Sequence, residues 1–247
     1  MAIYIAAHKA FAVPAEPGYV PLQVGAEGKE DLGYTPDNTG DHISEKNPHY
    51  CELTGVYWVW KNTTDAYKGL VHYRRYFRGK QGRLTEAEVT DLLSHYDILL
   101  PRQEILRESA YKEFCLHSGY EKDLIALRAA VETVDASVLP AYDRVMGGNR
   151  LHLYNMLITT GEEYDAYCAW LFAVLGKLEE SVDMTDYTPY QQRLYGFLSE
   201  RLLNVWVTHR GLKIKTMKVY NTEQTLKGRL RLFLRRQKNR LAYRLGK

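Results

Sequence analysis

The sequence predicts an α/β fold: a sandwich with a mostly parallel central sheet, a helix-rich C-terminal half and a basic amphipathic helix at the end. Three observations predict it. Short β-branched or aromatic runs alternate with longer segments of helical pattern, as in layered α/β proteins. Across 247 residues, 45% are hydrophobic and 26% charged, a globular balance. The net charge of +3 hides an asymmetry, because Lys227–Lys247 carries nine Lys or Arg and no acid, leaving 24 bases against 30 acids in the body. We therefore expect a single domain over 1–225 and a distinct basic helix over 226–247.

The elements follow in order. Ile3–Ala7 and Tyr19–Val24 are strands, the second ending at Gly25. Gly28–Lys46 is rich in Gly, Asp and Asn and is read as a long functional loop. Asn47-Pro48 precedes a helix over Cys51–Asn62. Gly69–Phe77 is a strand by its β-branched and aromatic content. Thr85, with Glu88 three residues on, makes a capping box for the helix Glu86–Ser94. Asp97–Leu100 is a short strand stopped by Pro101, and helices follow over Ala110–His117, Lys122–Val134 and Ser137–Met146. Leu151–Thr159 is a strand, Glu162–Ser181 and Gln191–Arg210 are long helices, Lys213–Tyr220 is a last strand, and Leu226–Leu245 is the basic helix.

Several chemistries are excluded by pattern. The chain has no GxxxxGK[ST] or GxGxxG loop, no GxSxG elbow, no HExxH and no zinc-spaced Cys/His cluster. It also lacks an Asp-x-Asp pair, the common divalent-metal holder of nucleotide-sugar enzymes, so no cofactor or metal ligand is assigned. Cys51, Cys115 and Cys168 form no disulfide framework, and a reducing compartment is expected. The start lacks a secretory pattern, and the longest apolar run, Cys168–Leu175, has eight residues where a membrane span needs about 20.

Ligands of parallel sheets bind beyond the carboxyl ends of the strands, which directs attention to the loops after Ala7, Gly25 and Tyr73. His72-Tyr73-Arg74-Arg75 is the strongest group. On one continuous strand His72 and Arg74 would face one way, Tyr73 and Arg75 the other. Two adjacent arginines can offset the charge of a diphosphate; equally, one can pair with an internal acid while the other is solvated. His8 and Lys9, after the small Ala6-Ala7, could hold an anion or be an ordinary polar strand end. Asp41, Ser44 and Asn47 could grip a ribose or base, or serve as turn and cap residues. Along Gln191–Arg210 an apolar stripe (Leu194, Leu198, Leu202, Val205) runs beside a polar one (Arg193, Glu200, Asn204, with Phe197); the polar stripe is either a solvated face or a site wall holding a general base.

In the tail, Leu226, Leu230, Phe233, Leu234, Leu241 and Leu245 share one stripe, while Arg231, Arg235, Arg236 and Lys238 cover the other side. This suits an anionic membrane surface, each basic residue contributing about 1 kcal/mol. A non-catalytic nucleic-acid-binding domain using the same basic helix is the alternative, less favoured because a leucine stripe has no use on a duplex.

The ordered set IYIAAHK, DNTGDHISEKN, YCELTGVYWVWKN, GLVHYRRYF, YDILLP, YNM, EYDAYCAWLFAVL and RLYGFLSERLLNVW resembles a family of bacterial capsular and exopolysaccharide glycosyltransferases, long catalogued as a domain of unknown function. Some of its members are similar to galactofuranosyltransferases. The resemblance covers Ile3 to about Tyr220. It implies a GT-A-like nucleotide-sugar-binding fold, a UDP-sugar donor and a polyprenyl-diphosphate-linked oligosaccharide acceptor at the inner face of the cell membrane, with the protein cytoplasmic and peripheral. The family's characteristic residues match His8, Lys9, Gly25, Asp41, Ser44, Asn47, Glu52, Trp58, Lys61, Asn62, His72, Arg74, Arg75, Arg193, Glu200 and Arg201. The roles we assign within that set are our own. Glu200, then Asp41 and Glu52, are the candidate catalytic bases. His8, Lys9, Gly25, Ser44, Asn47, Asn62, His72, Arg74, Arg75, Arg193 and Arg201 are the candidate donor and diphosphate ligands, with arginine charge standing in for a metal.

Overall fold

Strand β1 (Ala2–Ala7) is buried along its whole length because its alternate residues feed two separate cores. Tyr4 and Ala6 face one core; Ile3, Ile5 and Ala7 face the other. Two-sided burial is what a central strand of a covered parallel sheet requires. The computed structural model describes residues 1–244. In chain order, β2 (Tyr19–Gln23), β3 (Thr35–Pro36), α1 (Asn47–Tyr50) and α2 (Leu53–Asn62) lead to β4 (Tyr67–His72) and β5 (Arg75–Phe77). Next come α3 (Glu86–Leu93), β6 (Ile98–Pro101), β7 (Glu104–Ile105), α4 (Ala110–His117), α5 (Glu121–Asp135) and α6 (Leu139–Gly147). The chain continues through β8 (Arg150–Leu151), β9 (Leu157–Thr160), α7 (Gly161–Glu179), α8 (Leu194–His209), β10 (Ile214–Met217), β11 (Val219–Asn221) and α9 (Leu226–Arg244).

The main sheet has the order β10-β6-β9-β4-β1-β2-β3, with β5 joining β4 to β11 at one end. β1 runs parallel to β2 and β4, with Ala6 opposite both Leu22 and His72. β9 alone along that path opposes its neighbours, β4 and β6. The sheet is therefore mostly parallel. Helices α2 and α4–α8 bury their apolar faces against one side, and α3 closes the other. The capping box at α3 forms as expected: Glu88 N donates to Thr85 Oγ1 at 3.3 Å and Thr85 N to Glu88 Oε2 at 2.9 Å.

Four local readings need correction. The predicted strand Gly69–Phe77 is two strands, because the chain reverses at Tyr73-Arg74 and His72 pairs with Arg75 across the turn. No glycine or proline announces that turn; β11 fixes it by pairing with β5, and Thr222 N donates to Arg74 O at 2.9 Å. Arg74 and Arg75 thus point into different environments, and the expected strand alternation does not apply. Leu151–Thr159 is likewise broken, with Tyr154 and Asn155 at φ 79° and 49°. Lys213–Tyr220 divides at Lys218, whose carbonyl accepts from Arg78 N at 2.8 Å. Cys51, at φ 55°, separates α1, which holds Pro48, from α2.

Most of the polar stripe along α8 faces inward, with Asn204 buried and Glu200 half-buried, whereas Arg193, just before the helix, is exposed. Asn204 is buried, accepting from His152 N and donating to His152 O, both at 2.9 Å. Helix α9 docks on β7: the Arg236 guanidinium forks onto Glu104, and Asn239 Nδ2 donates to Ile105 O at 2.8 Å. Leu230, Phe233, Leu234 and Leu241 remain exposed on the outer face. The Leu226 side chain and Leu245, the other members of the predicted stripe, lie outside the described residues.

Candidate active site

Small residues end β1, so the chain leaves the sheet at His8 without a bulky flank. The imidazole of His8 meets the Tyr73 ring edge-on at 5.2 Å. Partial burial lowers its pKa, and Lys9, Arg74, Lys29 and Arg193 push it the same way. Those four cations surround one strand end. Lys9 and Arg74 share a single carboxylate, Glu223, at 3.1 and 3.3 Å. The buried Nε of Arg74 has no partner among the described residues, leaving a donor for a further oxygen. Four cations thus act on one strand end, and one carboxylate, Glu223, bridges two of them, Lys9 and Arg74.

Beside it, the Gly25 loop is shaped by Asp37, which sequence reasoning missed. The buried Asp37 carboxylate accepts from Gly25 N at 2.8 Å, Ala26 N at 2.9 Å and Ser44 Oγ at 2.5 Å. Ser44 is buried, and its hydroxyl also accepts from Glu27 N at 3.1 Å, so it shapes the loop from within. Gly25 sits at φ 62°, and a Cβ there would meet Asn47 at 2.3 Å. Asn47 donates to Cys51 O at 2.8 Å and turns its carbonyl toward Lys29 at 3.4 Å.

The carboxylate centre lies between β4, α2 and α8. Tyr154 N donates to Glu200 Oε1 at 2.7 Å, and His72 Nε2 donates to Tyr154 O at 2.7 Å. A left-handed Tyr154 costs on the order of 1–3 kcal/mol, and it aims both of its main-chain polar groups into the site. Asn155 is the second missed residue: its buried amide donates to Glu52 Oε1 at 2.9 Å and to Gly196 O at 3.1 Å, and its carbonyl accepts from Ser199 Oγ at 3.1 Å. Asn tolerates the left-handed region, which was the signal available in Tyr154-Asn155-Met156. Burial pushes the Glu200 carboxyl up to about 7; Glu52 adds to the rise, and the Tyr154 amide, Arg201 and Arg75 oppose it. Burial lowers the pKa of His72 against the pull of Glu52 and the Tyr154 carbonyl. Arg75 lies 4.6 Å over the Tyr154 ring, and Arg193 Nε reaches Cys51 Sγ at 3.3 Å beside Glu52.

Three candidates are not gathered here. Asp41 and Asn62 sit at the far end of α2 from Glu52, about 15 Å away by helix rise. Asn62 clamps Asp41 by its main chain at 3.1 and 2.8 Å, while Trp58 Nε1 donates to Thr39 O at 3.0 Å and Lys61 approaches Asp41 at 4.0 Å. Arg201 is buried on another face of α8, donating to Phe197 O at 2.8 Å and lying 4.9 Å over the Phe114 ring. Among the described residues no three His, Cys, Asp or Glu side chains are grouped to hold a metal ion.

A family model described as Domain of unknown function (DUF4422) matches residues 2–211. A solved structure, the WbbM bifunctional glycosyltransferase in its apo form, superposes with a TM-score of 0.82 at 27% identity over 90% of this chain. The chain spans 45% of the length of that structure. No curated protein matches by sequence.

Proposed function

The chain belongs to the family described as Domain of unknown function (DUF4422), on a GT-A-like α/β fold shared with WbbM, and from that premise we propose that it is a glycosyltransferase. It moves a sugar from a UDP-linked donor to a hydroxyl of an oligosaccharide acceptor. The finer reading is galactofuranose from UDP-galactofuranose, transferred with inversion to a polyprenyl-diphosphate-linked acceptor in capsule or exopolysaccharide assembly.

The observation that carries this reading is Glu200, a carboxyl with a pKa of about 7 fixed by the Tyr154 amide one strand away from a four-cation anion site. A base near the working pH is suited to accepting the proton of a sugar hydroxyl. In the transfer, the acceptor oxygen bonds to the anomeric carbon as the bond from that carbon to the UDP oxygen breaks. The electron pair leaves with UDP, and the hydroxyl proton goes to Glu200. Lys9, Arg74 and Arg193 oppose the charge that develops on the diphosphate, the task a divalent metal performs elsewhere. Glu223 bridges Lys9 and Arg74 at that position, so a bound diphosphate would compete with its carboxylate.

The exposed leucine and phenylalanine face of α9 supports peripheral attachment to an anionic membrane, and no helix among the described residues is long and apolar enough to cross one. That face also argues against the duplex-binding alternative. A donor screen by nucleotide release, with UDP-galactofuranose included, tests the activity, and the anomer of the product by NMR tests inversion. Stabilisation by duplex DNA at physiological salt, with none by UDP, would refute the reading.

A further inference from the structure

A cavity of about 420 Å³ opens between the β5–β11 pair, the carboxyl ends of β6 and β10, and α9. That volume falls within the roughly 300–1,000 Å³ of ligand pockets. Its wall carries five cationic side chains, Arg75, Arg78, Arg102, Lys218 and Arg236, against one carboxylate, Glu104. Glu104 is already taken by the fork of Arg236. Among the described residues no carboxylate lies within ion-pair distance of Arg75, Arg78, Arg102 or Lys218. Four cations without an acidic partner line one recess, three of them open to solvent, so a polyanion entering it meets positive charge from every side.

This recess is separate from the anion site at His8. The hairpin turn at Tyr73-Arg74 sends Arg74 to Glu223 and Lys9, and Arg75 to the Tyr154 ring and the cavity. One site stands on the β1–β2 half of the sheet, the other on the β6–β10 half. Glu200 lies between them, held by the Tyr154 amide and influenced by Arg75. The fourth wall is α9, which presents Leu232 and Arg236 to the cavity and its apolar stripe to the outside.

We infer that this cavity is a second anion site, taking the diphosphate of a lipid-linked acceptor while the donor diphosphate occupies the first. The anion site stands on the cation cluster alone; its assignment to an acceptor rests on the glycosyltransferase reading. A diphosphate anchored there by a chain emerging along α9 presents the adjoining sugar to Glu200 from the side opposite the donor.

The test is calorimetric titration of farnesyl diphosphate, a soluble prenyl diphosphate, into the full chain saturated with UDP. One-to-one binding is expected to persist under saturating UDP and to weaken at least tenfold in Arg102→Ala/Lys218→Ala. Both residues are exposed, so the double variant keeps its fold. UDP affinity is expected to stay unchanged in that variant. Loss of farnesyl diphosphate binding on UDP saturation, or full binding by the double variant, would overturn the proposal. Equal competition by the soluble headgroup glycerol phosphate would overturn the acceptor assignment by making the recess a general phosphate site. If the chain binds farnesyl diphosphate through Arg102 and Lys218 but fails to bind UDP, the glycosyltransferase reading falls and the anion site stands.

Discussion

The main-chain amide of Tyr154 donates to Glu200 Oε1 at 2.7 Å, across a turn in which Tyr154 holds φ 79°. A strained residue thereby fixes one oxygen of the carboxylate and leaves the other for a substrate proton. Glu200→Gln keeps the acceptor for that amide and removes the proposed base. Turnover is expected to fall by about 10²–10⁴-fold with donor affinity retained. The wild-type rate should rise with pH through about 7, the value to which burial lifts this carboxyl. A rate–pH profile without that limb, or a Glu200→Gln variant of normal turnover, would return the role of base to Glu52.

The same elevation carries a stability cost. Because the folded pKa of Glu200, about 7, lies above the ordinary carboxyl value of 4.5, the folded state favours the neutral form. The resulting stability is complete below about pH 4.5 and is lost as pH rises through about 7. Glu200→Gln is therefore expected to melt higher than wild type at pH 8, by on the order of 2 kcal/mol or several degrees, and to match it near pH 5. Thermal unfolding at the two pH values checks the sign.

Lys9 and Arg74 are held by Glu223 at 3.1 and 3.3 Å, and on the proposed donor site a nucleotide diphosphate would replace that carboxylate. Arg74→Ala is expected to lower turnover about 10²-fold, as for loss of a preorganised charge donor. Glu223→Gln should bind UDP two- to fivefold tighter, the scale of exposed ion pairs. Transfer should survive a strong chelator. Complete loss, with rescue by manganese, would replace the arginine mechanism with a metal-dependent one.

Phe233 and Leu234 stand exposed on α9, 56% and 58% accessible. Burying each in a bilayer interface contributes roughly 1.5–3 kcal/mol. Phe233→Ser/Leu234→Ser is expected to weaken sedimentation with anionic vesicles more than tenfold while leaving transfer to a soluble acceptor analogue intact. Unaltered sedimentation would refute attachment through this face. Removing 226–247 should abolish it.

Much of the fold was legible because two-sided burial and helix caps are local. β1, β2, β6 and α3–α8 lie within a few residues of where pattern and capping residues put them. The breaks were not legible. The turn at Tyr73-Arg74 depends on pairing with β11, almost 150 residues later, and the turn at Tyr154-Asn155 is held by hydrogen bonds to Glu52, just before α2, and to Glu200 of α8. For the site, Lys9, Arg74, Arg193, His72, Glu52 and Glu200 do converge. Glu223, Asp37 and Asn155 escaped notice because an acid or amide in a loop has no period to reveal its partner. Asp41 and Asn62 share sequence proximity with the site without sharing its space, since α2 carries them away from it.

The reversal between Arg74 and Arg75 has a consequence for how this protein can change. Neighbours in the chain reach different surroundings, Glu223 for Arg74 and the Tyr154 ring and cavity for Arg75, so on the proposed two-site reading a substitution at one would retune recognition of one reactant without disturbing the other. Insertion or loss of a single residue there would do the opposite, exchanging which chamber each guanidinium serves and scrambling both specificities together. That turn should tolerate many replacements and almost no change in length.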